Sequence, residues 1–287
     1  MPTASSFLRA TSFSLLLLLA GVHLPAQQVE VQPKGEPSNA KEAQEKKAAI
    51  DAEIEGKYQD WKATRPADEQ DWIKVLEENL GAFYLPNFKS DKVKGKITPW
   101  DYVQDDPQLP RVLLIGDSIS RGYTLSTRKN LAGKANVHRA PENCGPTANG
   151  LKKLDLWLGK GHWDVIHFNF GIHDRKSSDE TYRANLQTLI DRLKPTGATL
   201  VWATTTSVID DSNPQKFTPE RCAELNRIAK EVMEKNHIAI DDVGGAIQPR
   251  LAELQTPKDV HFSAAGYEVL GQVVAQSITA VLPAKQP

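Results

Sequence analysis

Short apolar runs, each followed by a segment of helical periodicity, constrain this chain more than any other feature. Arg111-Val112-Leu113-Leu114-Ile115, Val165-Ile166-His167-Phe168-Asn169 and Thr199-Leu200-Val201-Trp202-Ala203-Thr204 are apolar almost throughout; Ala135 to Arg139 and Ile238-Ala239-Ile240-Asp241 are weaker members of the set. A strand that alternates apolar and polar residues has one wet face, whereas a run without alternation fits a strand covered on both faces, as in a parallel sheet. Between the runs lie amphipathic segments marked by Leu151, Leu154 and Leu158, by Tyr182, Leu186, Leu189, Ile190 and Leu193, by Cys222, Leu225, Ala229 and Val232, and by Tyr267, Leu270, Val274 and Val281. Thr218-Pro219 and Ser263 are helix starts, and Lys194-Pro195-Thr196-Gly197 is a helix stop. This alternation predicts a three-layer α/β/α sandwich with a mostly five-stranded parallel sheet and right-handed crossovers. In such sheets the chemistry sits on loops leaving the carboxyl ends of the strands.

The main domain is expected over residues 109–287. Residues 1–26 read as a signal peptide: Arg9 is a positive n-region, Phe13 to Ala20 an apolar core too short to span a bilayer comfortably, and Leu24-Pro25-Ala26 a cleavage point. A secreted or periplasmic protein follows, with no stable membrane insertion after cleavage. Residues 27–108 read as a polar linker to about Lys41 and a helical extension. One helix carries Ile50, Ile54, Tyr58 and Trp61; after Arg65-Pro66 a second runs from Asp68 to Leu80, with Gly81 at its end. The net charge of −1 argues against a nucleic-acid partner. Cys144 and Cys222 read as two buried thiols rather than a disulfide scaffold. The seven His include no pair with ligand spacing such as H-E-x-x-H, so no metal or other cofactor is expected. Nothing in the sequence specifies an oligomeric state.

Four polar clusters fall at the predicted strand ends. Gly116-Asp117-Ser118-Ile119-Ser120 follows the first run; Ser118 is either a nucleophile presented to a cleft or a helix cap, and the tetrad is not the G-x-S-x-G elbow. Asn143-Cys144-Gly145-Pro146-Thr147 offers a Gly whose N–H can face a developing oxyanion, or an ordinary turn. Asn169-Phe170-Gly171-Ile172-His173-Asp174 gathers hydrogen-bonding side chains at the next strand end. Asp259-Val260-His261-Phe262 sets an imidazole beside a carboxylate, which is what a Ser nucleophile needs: the ring takes the proton, and the carboxylate fixes its tautomer and stabilises its charged form.

In type and order these clusters resemble the blocks of the SGNH/GDSL hydrolase superfamily, over roughly Leu109 to Val281. The resemblance implies a flavodoxin-like fold preceded here by N-terminal helices, and a cofactor-free serine esterase. Ser118 would be nucleophile, His261 general base, and Ser118 and Gly145 oxyanion donors. Two departures matter. The third block usually reads Gly-x-Asn-Asp, but here it is Gly171-Ile172-His173-Asp174, which leaves His173 or Asn169 as the further donor. The usual Asp three residues before the His is here Lys258. That leaves Asp259, with Asp241, Asp242 or a backbone carbonyl as fallback partners of His261. The resemblance and the leader favour a carbohydrate O-acetyl ester as substrate, with Trp100, Trp157 and Trp163 as sugar-stacking candidates. A lipid or thioester substrate, or a non-catalytic glycan-binding or envelope scaffold, are the rival readings.

Overall fold

The structure is a computed structural model and describes residues 37–283, with side chains from residue 40. The expected signal peptide, residues 1–26, lies outside the described residues. The chain divides into two units, Met1–Ala48 and Ala49–Pro287. In the first, the described residues are helical, with exposed side chains from residue 40 and an ion pair, Lys41–Glu45, at 3.8 Å. Helix α1 (Pro37–Ala63) starts four residues before Lys41, so the polar stretch is not linker to its end. Pro at a first helical position gives up no hydrogen bond, and the Ala, Lys and Glu that follow favour the helix.

In the second unit α2 (Ala67–Asn79) follows the expected span within a residue, and a further helix, α3 (Gly81–Val93), was not anticipated. Gly81, with φ +67°, turns the chain between them. Pro86 inside α3 is why the segment does not read as helical: it removes one backbone donor. Tyr58, Ile73, Leu76, Leu80, Phe88 and Trp100 form a small core among these helices.

The sheet has five strands: β1 (Arg111–Ile115), β2 (Asn136–Arg139), β3 (Val165–Phe168), β4 (Thr199–Ala203) and β5 (Ala239–Asp241). Their order is β2-β1-β3-β4-β5 and every pairing is parallel. The helices are α4 (Ser118–Asn130), α5 (Thr147–Leu158), α6 (Asp179–Leu193), α7 (Pro219–Lys235), the short α8 (Val243–Ile247) and α9 (Leu251–Leu254), and α10 (Ala264–Val281). Thr218 and Ser263 cap α7 and α10 as expected, accepting from the N–H of Arg221 and Gly266. Val112 to Ile115 and Val165 to Phe168 are buried throughout. The chain runs from β1 out to the edge strand β2, then returns past β1 to β3. The direction of winding therefore reverses on either side of β1, and this reversal opens a crevice at its carboxyl end. Ser118 is three residues beyond Ile115, at that point.

Candidate active site

Ser118 is the first residue of α4. The turn before it is held from two sides. Asp117 caps the helix, its Oδ1 accepting the N–H of Ile119 at 2.9 Å. Beneath the turn lies Arg139, the last residue of β2 and fully buried. It donates to the carbonyls of Gly116 (3.1 Å) and Asp117 (2.9 Å) and to the hydroxyl of Ser120. Burial pulls its pKa down, yet guanidinium starts so high that it keeps its charge. Gly116 has no room for a side chain: a Cβ would come within 2.7 Å of Ser120 Oγ. The Ser118 side chain is left at the surface of the crevice, in a residue 8% exposed.

His261 reaches it from the loop before α10. Its Nε2 is 2.8 Å from Ser118 Oγ, and its Nδ1 is 2.8 Å from Asp259 Oδ1. The sequence separation of 143 residues between Ser118 and His261 is closed by packing of α10 on α4, where Gly122 leaves space for the Tyr267 ring. The unusual carboxylate spacing has a backbone cause. Lys258 adopts φ +56°, a left-handed conformation, between hydrogen bonds from Asp259 N to Thr256 O (3.1 Å) and from Thr256 N to His261 O (2.8 Å). This tight turn folds the Asp259 side chain back onto the ring two residues later, and the same Oδ1 accepts from Val260 N at 2.7 Å. The fallback carboxylates are engaged elsewhere. Asp241 is buried against His167 Nε2 at 2.9 Å, and Asp242 caps α8 and accepts from Thr204 Oγ1.

The second and third clusters lie against the same turn, with Cys144 N donating to Gly116 O at 3.1 Å. Gly145 has φ +65°, and a Cβ there would meet nothing closer than 4.0 Å. Glycine is therefore required by backbone conformation rather than by space. Asp174, fully buried, fastens this loop to the third cluster by accepting from Thr147 N (2.8 Å), Thr147 Oγ1 (2.6 Å) and Ser177 Oγ (3.2 Å). Desolvation, only partly offset by these donors, raises its pKa. His173 is half-buried and turns Nε2 toward Asp117 Oδ2, 4.0 Å away. Asn169 is differently placed. Its amide nitrogen already donates to Ala203 O (2.8 Å) and to Thr205 Oγ1 (3.1 Å), so both of its N–H groups are committed to bridging β3 and β4. Of the two expected donors, His173 is the one whose ring makes no hydrogen bond among the described residues. Among the described residues, no acceptor takes the main-chain N–H of Ser118 or Gly145.

Other candidates are settled by burial. Cys144 and Cys222 are free, buried thiols, each with its pKa pushed up to about 12 by desolvation, which removes both as nucleophiles. Trp100, Trp157 and Trp163 are buried, and the cavity that Trp157 and Trp163 edge is not lined by Ser118 or His261. Among the described residues no group of three or more His, Cys, Asp or Glu could hold a metal ion, and no helix is long and apolar enough to cross a membrane. Sequence reasoning passed over Arg139 and the Asp174–Thr147 tie. A charged residue closing an apolar strand was the available signal for the first; nothing local marked the second.

Residues 114–269 match the family model described as GDSL-like Lipase/Acylhydrolase family. No curated protein matches the chain. Among solved structures, a lipase/acylhydrolase from Enterococcus faecalis is 24% identical with a TM-score of 0.55, the match covering 62% of this chain and 100% of that one. An acetylxylan esterase from Geobacillus stearothermophilus is 18% identical with a TM-score of 0.50, over 59% of this chain and 94% of its own. At these identities the likeness is one of fold.

Proposed function

The chain belongs to the GDSL-like lipase/acylhydrolase family and is a serine ester hydrolase, and we propose that it is a secreted esterase that removes an O-acetyl group from a carbohydrate by a Ser118–His261–Asp259 mechanism. The observation that carries this reading is the unbroken hydrogen-bonded chain from Ser118 Oγ through His261 to Asp259.

In the acylation step His261 Nε2 takes the hydroxyl proton as Ser118 Oγ attacks the ester carbonyl. Asp259 steadies the imidazolium and keeps the other ring proton on Nδ1. The oxyanion is received by the N–H groups of Ser118 and Gly145, with a ring N–H of His173 as third donor; each such donor is worth on the order of 100- to 1000-fold in rate. The tetrahedral adduct collapses, and the leaving alkoxide takes the proton back from His261. Water then attacks the acyl-enzyme along the same route, again deprotonated by His261, and releases acetate. Asn169 has no part in this scheme, because its amide is committed to the sheet.

The polar surroundings of the serine support a sugar alcohol over a lipid. Half-buried His173 lies 4.0 Å from Asp117, the residue before Ser118, and the amide of Asn143 lies two residues before Gly145. The large cavity of about 520 Å³ is lined by Trp72, Tyr102, Arg111 and Trp163 and not by Ser118 or His261. The leader read over residues 1–26 and the fold shared with an acetylxylan esterase support an extracellular glycan ester.

A fluorophosphonate probe tests the mechanism. The expected adduct maps by mass spectrometry to Ser118 and is lost in Ser118→Ala and His261→Ala. Acetate release from acetylated glycans, compared with p-nitrophenyl acetate and p-nitrophenyl palmitate, tests the substrate class. Absence of labelling in folded protein would sink the mechanism, and a preference for the palmitate would replace the glycan by a lipid.

A further inference from the structure

Arg121 follows Ser118 by three residues on α4. Helical side chains tilt toward the helix N-terminus, so this one leans back toward the turn that carries the serine. Its guanidinium carbon lies 5.4 Å from the ring centre of Tyr84 and 5.8 Å from that of Trp100. Tyr84 Oη accepts a hydrogen bond from Asn143 Nδ2 at 3.3 Å, and Asn143 is two residues before Gly145. The stack thus seats a guanidinium between the nucleophile helix, α3 and the loop of the second cluster.

The group is unpaired. Arg111, Arg183, Arg192, Arg221, Arg227 and Arg250 each hold a carboxylate. Among the described residues no carboxylate pairs with Arg121 and no acceptor takes its side-chain N–H groups; its Nε is buried without a partner. Asn143 Oδ1 and Trp100 Nε1, at the same junction, are also buried and unpartnered. The nearby carboxylates are committed: Asp117 caps α4 and faces His173, and Asp259 engages His261. The two rings lie within 6 Å of the guanidinium and bury its Nε, while its two terminal nitrogens are neither buried nor hydrogen-bonded and can meet a planar, two-oxygen acceptor end-on. Phe83, 73% exposed, stands edge-to-face on the Tyr84 ring that Arg121 covers, with ring centres 4.9 Å apart. An exposed ring one aromatic residue away from a guanidinium without an acceptor suits the apolar face of a sugar that carries a carboxylate.

We infer that Arg121 binds a carboxylate on the alcohol part of the substrate, so that the ester cleaved sits on an acidic glycan built from uronate units, with Phe83 supporting the sugar ring. The inference rests on the esterase reading above and narrows its substrate.

The test compares full-length protein on O-acetylated polygalacturonate, on O-acetylated neutral xylan of matched acetyl content, and on p-nitrophenyl acetate. A charge-assisted pair predicts kcat/KM per acetyl group about 10- to 100-fold higher on the acidic polymer than on the neutral one. Arg121→Gln abolishes that ratio, and Arg121→Lys, which keeps charge without the fork, restores part of it. Binding of trigalacturonate against galactotriose to Ser118→Ala protein supplies a readout independent of turnover and of the folding of any Arg121 variant. Equal turnover of the two polymers by the unaltered protein, or no preference for trigalacturonate, overturns the carboxylate assignment while esterase activity on p-nitrophenyl acetate stands. Faster hydrolysis of a lysophospholipid than of the acidic polymer assigns Arg121 to a phosphate and also overturns it. Failure to cleave any ester beyond the Ser118→Ala background removes both readings.

Discussion

Asp259→Asn removes the charge that faces His261 and changes little else. One oxygen, Oδ1, accepts both from His261 Nδ1 at 2.8 Å and from Val260 N at 2.7 Å. Two donors converging on one atom will select the carbonyl oxygen of the asparagine, not its amide nitrogen. The substitution therefore keeps the ring tautomer and loses only electrostatic stabilisation of the imidazolium. For unit charges about 4 Å apart that stabilisation is about 4 kcal/mol at an effective dielectric of 20 and about 1 kcal/mol in bulk water. The Asp259 side chain is 33% exposed, which places it between these limits. A loss of about 2–3 kcal/mol follows, or about 30- to 150-fold in kcat. KM should stay within about twofold, because the charge is felt in the transition state and not by bound ester. Initial rates on p-nitrophenyl acetate measure both, with Asp259→Ala as the variant that also frees the tautomer and falls further. A folded Asp259→Asn protein within about threefold of the unaltered rate would refute the argument, since under ~0.7 kcal/mol is too little for a carboxylate orienting the base. It would return the site to a Ser–His pair.

Gly145→Ala forces a Cβ into a left-handed residue whose surroundings are open, so about 1–2 kcal/mol of backbone strain is the expected penalty. Tilting of its N–H lowers kcat by roughly 100-fold while the melting temperature falls by a few degrees; an unchanged kcat would remove that N–H from the oxyanion site. Arg139→Met leaves the Gly116 and Asp117 carbonyls and the Ser120 hydroxyl buried without their donor, and urea unfolding should show a loss of about 3 kcal/mol with reduced kcat. Stability should also depend on His138, whose pKa burial depresses. Asp105, at 2.6 Å, opposes the shift but is shared with Arg111 and one-third exposed. A depressed folded pKa means the unfolded chain binds the proton more tightly. The contribution is therefore full above about pH 6.5 and is lost as pH falls through the lower folded value, so the urea midpoint should drop toward pH 5 less steeply in His138→Asn.

The sheet was legible because covered strands leave a one-dimensional trace. Val112 to Ile115 and Val165 to Phe168 must be apolar at every position, and the helices between them must be apolar on a stripe. The same rule weakens at the edges: β2 ends in Arg139 and β5 is three residues long, so both read faintly. Helix α3 was invisible for a different reason. Pro86 removes a donor that a helix in isolation needs, and packing of Phe88 and Trp100 into the small core compensates for it from outside the segment.

At the site, residue type pointed to the proposed chemistry and the backbone decided which side chains meet. Ser118, Gly145 and His261 stood out because their neighbours are turn and cap residues. Asp259 stood out as the neighbouring carboxylate, but its reach to His261 did not, because a left-handed Lys258 is written nowhere in the identity of a lysine; counting back three residues from His261 assumes a turn this chain does not make. The rest follows from accounting for donors and acceptors, which only the folded chain permits. That accounting withdraws Asn169, whose two N–H groups hold Ala203 and Thr205, and withdraws Asp241, which holds His167. It gives Asp174 the work of locking the Gly145 loop and Arg139 the work of holding the nucleophile turn. Carried one residue further, the same count finds at Arg121, three residues beyond Ser118, a cation with no acceptor among the described residues. A half-buried charge without an acceptor costs stability in the free protein, and the carboxylate inferred for this position would offset that cost on binding.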